Sequence, residues 1–351
     1  MQIKIEPLDT LFFRDGKPFM MGDDSWANGV FPPYPSVIYG ALRSAYFSEH
    51  ITELKNACTA NDPTRNLKIK GIYLLDLEAN KVYLPLPNDC VQRKNAKEST
   101  HLLSLNKINI NSSCTAQYVL ISDKEVESVS DGLISLDSFK TYLQCESKTF
   151  DFIRIGDKMK LEPKVGIGIN RLTGTADESK LYTVSMRRME DLALLIDFEG
   201  IDIPQSGLMK LGGEGKAASY QVDDANIDVL PYNFKYNKTI FKLNLSTPAI
   251  LKKGWLPAWI DEKNLTGEYN GLKVKLQTAS IGKPLYIGGF DMKAGKPKPM
   301  RKAVPSGSIY YFEILNGDIE MAIEYFHQKA VSDFYPEQGF GIAYVGGVDN
   351  A

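Results

Sequence analysis

Basic side chains beside glycine and aromatic residues are the groups here that could do chemistry. The segment DMKAGKPKPMRKAVPSGS (291–308) carries Lys293, Lys296, Lys298, Arg301 and Lys302 against one aspartate. It follows Ile287-Gly288-Gly289-Phe290 and precedes the aromatic run GSIYYFEIL (307–315). Proline and glycine keep such a stretch extended. Lysine and arginine neutralise phosphates, and aromatic rings stack on unpaired bases. The plain alternative is a solvated charged loop. A second set lies near the front. Arg14 and Lys17 flank a polar turn that could hold phosphate, and Trp26 could stack on a base. Asp23 and Asp24 adjoin without a third ligand at useful spacing and read as turn or cap residues.

Two glycine-rich bends compete with these. GLMKLGGEGKAASYQV (207–222) contains a Gly-Lys pair, but Lys210 stands where a phosphate loop needs glycine and Ala217 where it needs Ser or Thr. QGFGIAYVGGV (338–348) opens no helix and lies too near the end for a dinucleotide unit. Two readings stand for both bends: a tight turn, or a side-chain-free surface whose N–H groups meet phosphates. Catalysis has little to build on. The three histidines, His50, His101 and His327, show no spacing to a partner that would move a proton. The four cysteines, Cys58, Cys90, Cys114 and Cys145, are widely spaced and form no zinc pattern. No metal and no cofactor is expected.

These groups must be carried by elements. Residues 2–8 read as a strand and 36–50 as a helix, with Val37, Ile38, Ala41, Leu42, Ala45 and Tyr46 on one face. Pro35 and Ser36 mark its start. Gly40 sits mid-helix, which fits close approach by another backbone or, equally well, tight helix packing. Further strands are read at 68–77, 193–200, 239–245, 283–291 and 307–315, and a helix at 318–329 with Ile319, Ala322, Ile323 and Phe326 inward. A hairpin arm spans 164–189 and carries Lys164, Arg171, Lys180, Arg187 and Arg188. Residues 85–130 give weak local signals. The order β-α-β-β-α-β fits both halves, although the second helix of the first is poorly marked. The expected fold is therefore α+β, with two tandem ferredoxin-like domains: 1–232, with insertions over about 50–190, and 233–351.

The chain's 351 residues suit two domains. Its net charge of −2 excludes bulk coating of nucleic acid but not a local basic track. No apolar run is long enough to span a membrane, and MQIKIEPLD lacks a signal peptide's apolar core, so a cytoplasmic protein is expected.

Several segments, in order, resemble one family: PLDTLFFRDGKPF (7–19), FPPYPSVIYGALRSAYF (31–47), VGIGINRLTGTADESKLY (165–182), LGGEGKAASY (211–220), IGGFDMKAGKPKPMRKAVPSGSIYYFE (287–313) and the closing GFG turn. They are similar to the third subunits of the Cmr complex, the type III-B CRISPR effector, within the repeat-associated (RAMP) superfamily. The resemblance leaves out roughly residues 50–160. Lys216 stands where arginine is expected and Phe290 where tryptophan is expected. The resemblance implies a non-catalytic subunit of a hetero-oligomeric ribonucleoprotein. It would hold the 5′ tag of the guide RNA (crRNA), contact the large polymerase-type subunit and the first backbone subunit, and meet target RNA indirectly. The arm would lie across the guide. RNA contacts are then expected from Arg14, Lys17, Trp26, Arg43, Asn170, Arg171, Lys210, Gly212, Gly213, Lys216, Lys293, Arg301 and Lys302. The rival expectation is a metal-independent endoribonuclease with His50 as its proton-transfer residue.

Overall fold

The computed structural model describes residues 1–14, 26–27, 29–94, 99–107, 116–170, 172–223, 227, 229, 239–291 and 294–348, with backbone alone at 177–180. It is mostly sheet. Gln2–Pro7 alternates as a strand because Ile3 and Ile5 are fully buried while Lys4 and Glu6 are not. It lies inside an eight-stranded sheet between Leu192–Glu199 and Ala217–Val222. Lys68–Asp76 follows beyond Leu192–Glu199, and every one of these pairs is antiparallel. The second sheet repeats the order. Ile240–Leu245 lies between Ile309–Asn316 and Ile342–Gly347, with Leu272–Ser280 beyond Ile309–Asn316.

The two halves keep different helices. In the first, Pro35 fixes the opening dihedral of the helix Pro35–Glu49. Ile38, Ala41, Leu42 and Ala45 are buried at the expected spacing. Gly40 is exposed, and a Cβ there would touch nothing within 4 Å, so neither a backbone nor a packed side chain crowds it among the described residues. No second helix follows Leu192–Glu199. The strand Ser206–Lys210 and a glycine turn lead directly into Ala217–Val222 and widen the sheet by one strand. In the second half the helix is Ile319–Phe326, opened by Asp318, whose carboxylate accepts from the Met321 N–H at 2.9 Å. Between Ile240–Leu245 and the next strand runs an irregular segment pinned by isolated bridges such as Ala249↔Val304 and Ile260↔Gly267. The boundary read at 232/233 lies outside the described residues.

The weakly signalled insertion folds into short strands, among them Cys90–Arg93, Ser99–Leu102 and Tyr118–Ile121. It is followed by the helix Leu136–Leu143, capped by Ser135. That helix covers the helix-free face of the second sheet. The Phe139 ring meets the Tyr344 ring edge-on at 5.3 Å, and the Cys145 thiol donates to the Gly347 carbonyl. The Tyr73 and Tyr344 hydroxyls, one from each sheet, are 2.9 Å apart. Ile240, Ile309, Tyr311 and Tyr344 thus share one buried cluster with Ile3, Leu195, Phe139 and Tyr142. The opposite face of the second sheet, with Phe241, Leu243 and Leu245, packs under Ile319–Phe326. Both faces of that sheet's central strand are therefore closed.

Candidate nucleic-acid interface

Exposed chemistry is left to loops, ribbons and the arm. The arm is longer than its sequence suggests: Met159–Ile169 pairs with Ala176–Met189. Its base is tied to the body by reciprocal backbone hydrogen bonds between Leu11 and Arg187, both 2.8 Å. Phe12, Val184 and Met186 form a small buried cluster there.

The first glycine turn abuts this base. The Gly213 N–H donates to the Phe12 carbonyl at 2.8 Å. Gly212 has φ +83°, and a Cβ on it would lie 2.6 Å from that same carbonyl oxygen. Glycine is required there by the protein's own backbone. Gly213, Glu214 and Gly215 are exposed. The second bend differs more from expectation. A Cβ at Gly339 would lie 2.9 Å from Ile69, one at Gly341 would lie 2.7 Å from the Ser332 nitrogen, and the strand Ile342–Gly347 is buried throughout. Its glycines serve internal packing and offer no surface to a strand of RNA.

Ion pairs join turn, arm and front segment. Lys216 Nζ donates to Asp9 Oδ2 at 2.5 Å, and Arg188 donates to Asp9 Oδ1 at 3.2 Å. Arg188 also grips Glu162 through both Nε (2.5 Å) and a terminal nitrogen (3.0 Å). Lys164 faces Glu214 at 3.9 Å. The hydrogen bond from Lys216, helped by the Thr10 N–H and the Arg188 charge, pulls the Asp9 carboxyl down to about 2. Arg188 likewise lowers Glu162, and Glu162 raises Arg188.

Of the residues expected to touch RNA, Arg14 is exposed and pairs through its backbone with Gly29. Trp26 is 51% exposed, with its indole N–H on the Ser185 hydroxyl at 2.7 Å. Lys216 lies at the glycine turn and is spent on Asp9. Lys210 is exposed one residue before the glycine turn. Asn170 shapes the arm tip, its side-chain oxygen accepting from the Leu172 and Thr173 N–H groups. Arg43 is committed elsewhere: it grips Asp62 at 2.5 Å and Thr64 at 2.7 Å. Burial pushes Asp62 up, but hydrogen bonds from Thr64 and Cys58 and the Arg43 charge more than offset it. Lys17, Arg171 and Lys293 lie outside the described residues, as do Asp23, Asp24 and Cys114.

Arg301 and Lys302 stand on a separate ribbon, Leu285–Ile287 paired with Arg301–Ala303. The Arg301 guanidinium lies 3.7 Å over the Phe334 ring, a cation–π stack that orients it. Lys302 is exposed opposite Tyr286, itself 45% exposed, and Lys302 has no ion pair among the described residues. Phe290 and Met300 are also about half exposed nearby in sequence. A cleft of about 370 Å³ separates ribbon from arm base, lined by Arg187, Tyr34, Asn88, Thr247, Leu285 and Pro305 among others.

Sequence reasoning missed two features. Asp9, Glu162 and Glu214 are anions whose role depends on partners up to 207 residues away. The outer arm is aliphatic: Val165, Ile167, Ile169, Leu181 and Leu172 are exposed, Leu172 by 96%. The alternation V-G-I-G-I was the available signal. His50 has its Nδ1 on the Tyr46 carbonyl at 3.0 Å, and its ring stacks on Tyr46. His327 is buried. Its Nδ1 accepts from the Val345 N–H, so Nε2 carries the proton and donates to the Val229 carbonyl. No group of three or more His, Cys, Asp or Glu suited to a metal ion occurs among the described residues. Nor does any helix among them have the length and apolarity to cross a membrane.

A family model described as CRISPR-associated protein (Cas_Cmr3) matches residues 3–348. No curated protein matches the chain. Among solved structures, one chain in "Cryo-EM structure of the Type III-B Cmr-beta bound to cognate target RNA and AMPPnP, state 1" is 17% identical, with a TM-score of 0.51 over 89% of this chain and 86% of that one. A chain in the Cmr-beta structure bound to cognate target RNA is 18% identical, with the same TM-score and coverage. At such identities the likeness is one of fold.

Proposed function

Because the chain belongs to the CRISPR-associated Cas_Cmr3 family, we propose that it is the guide-RNA subunit at one end of a type III-B effector. It binds the 5′ tag of the crRNA and performs no catalysis itself. On this reading it links the large polymerase-type subunit to the first backbone subunit, within a cytoplasmic ribonucleoprotein that meets target RNA through the guide. Its two halves, 1–232 and 233–351, are ferredoxin-like units that have each exchanged one helix for other structure. The matching strand order of the two sheets supports this view. The faces of the second sheet's central strand are not part of the RNA surface on this reading, since both are closed by packing.

The observation that carries the proposal is the ribbon. A guanidinium pre-oriented on Phe334, a lysine without an ion pair among the described residues, and the exposed ring of Tyr286 share one short antiparallel pair. Such a surface takes phosphates and splayed bases without high global charge. Replacing Arg301 and Lys302 together by alanine should weaken binding of tag RNA by roughly ten- to a hundredfold. It should also flatten the log–log salt dependence by about 0.7 for each phosphate no longer neutralised. Equal affinity and equal slope, measured by fluorescence anisotropy on the folded variant, would remove the ribbon from the interface. The Lys302→Ala variant alone separates charge from the Phe334 packing.

A further inference from the structure

The ion pairs at the glycine turn have a consequence for selectivity. Lys216, Arg188 and Lys164 each pair with a carboxylate at this junction, drawn from Asp9, Glu162 and Glu214. In the free protein these three cations are therefore offset one for one by carboxylates, although their side chains would suit a phosphate. Asp9 is the central member. It is 53% exposed, belongs to the front segment, and bridges the glycine turn to the arm. Its low pKa, set first by the Lys216 hydrogen bond, keeps it ionised at every physiological pH.

We propose that Asp9 is a specificity-determining carboxylate that occupies the turn's lysine and the arm's arginine, as Glu214 occupies the arm's Lys164, until a guide strand anchored elsewhere displaces it. The inference rests on the guide-binding reading above. A random single strand arriving at the junction exchanges one anion for another and gains little. A strand already held at the ribbon brings its phosphates at high local concentration and completes the exchange. Removing the carboxylate should therefore help the wrong strand more than the right one. A purely structural role for Asp9 would change melting temperature and leave this discrimination alone.

The test compares the full-length chain with its Asp9→Asn variant, titrated with tag RNA and with an oligouridylate of equal length over a salt series. Asp9→Asn should bind the oligouridylate roughly 3- to 10-fold more tightly at 0.1 M salt, with a slope steeper by about 0.7–1.4, as one or two phosphates gain cations. Tag RNA should gain less, so the ratio of the two affinities falls. An unchanged oligouridylate affinity and slope in folded Asp9→Asn overturns the inference. If that variant does not fold, Glu214→Gln carries the same test, since Glu214 is exposed on the turn. It should bind oligouridylate about 2- to 3-fold more tightly with a slope steeper by about 0.7, and no change there is equally decisive. Should the parent chain fail to bind tag RNA at all, the guide-binding reading falls as well. If it binds tag RNA while the variants keep full discrimination, only the carboxylate gate is lost.

Discussion

Lys242→Met tests whether the inserted helix is truly locked onto the second sheet. Lys242 is 1% exposed. Its ammonium donates to the Tyr142 carbonyl at 3.0 Å and sits 3.4 Å from the centre of the Tyr142 ring. Asp89, fully buried, accepts from Tyr142 at 2.9 Å and from Tyr311 at 2.6 Å. Methionine keeps most of the volume but removes the countercharge of Asp89 and the donor to Tyr142. Leaving a buried carboxylate without its nearby countercharge costs about 3–5 kcal/mol. At about 2.1 cal/mol/K per residue, a chain of 351 residues melting as one unit has an unfolding entropy of roughly 0.7 kcal/mol/K. The melting temperature at pH 7 should then fall by about 4–7 °C.

The pH dependence gives a sharper check. Burial raises the pKa of Asp89, and the Lys242 charge with the two tyrosine hydrogen bonds offsets this only in part. With its folded pKa above the unfolded value of about 3.9, Asp89 favours the folded state fully below that value, and the benefit is lost as pH rises through the folded pKa. Removing Lys242 pushes the folded pKa higher still. The Lys242→Met deficit should therefore be smaller at pH 4.5 than at pH 7, and adding Asp89→Asn should recover part of it. Calorimetry at both pH values reads this directly. A melting temperature within about 1 °C of the parent at pH 7, or a deficit that does not shrink in acid, would refute the coupling.

Gly212→Ala should lower stability by about 1–3 kcal/mol, because φ +83° is strained for alanine and its Cβ meets the Phe12 carbonyl. Chemical denaturation checks this, and a neutral effect would mean that the turn can move off Phe12. Asp9, held at about 2 when folded, lends stability that is present above its unfolded value of about 3.9 and is lost as pH falls through 2. The acid limb of a melting-temperature profile should therefore be shallower between pH 4 and pH 2 in Asp9→Asn.

Local pattern determined a good part of this protein. Ile3 and Ile5 alternate, Ile38, Ala41, Leu42 and Ala45 repeat at helical spacing, and Pro35 and Asp318 open helices. Each signal acts within a few residues, so Pro35–Glu49, Ile319–Phe326 and most central strands were legible. The helix Leu136–Leu143 was also there to be read, in Ser135 followed by Phe139, Tyr142 and Leu143, but it lay within a long polar insertion. The ribbon's composition pointed to Arg301 and Lys302 because a dense basic run needs no partner to be noticed. Tertiary structure alone decided which cations are available. Arg43 meets Asp62, and Lys216 meets Asp9 across 207 residues of chain. It also decided that the second glycine bend is internal, because Ile69 and Ser332 close on Gly339 and Gly341 from distant or folded-back segments. Charge and glycine are legible as composition; whether either faces solvent depends on what the rest of the chain packs against it, and that information is not local.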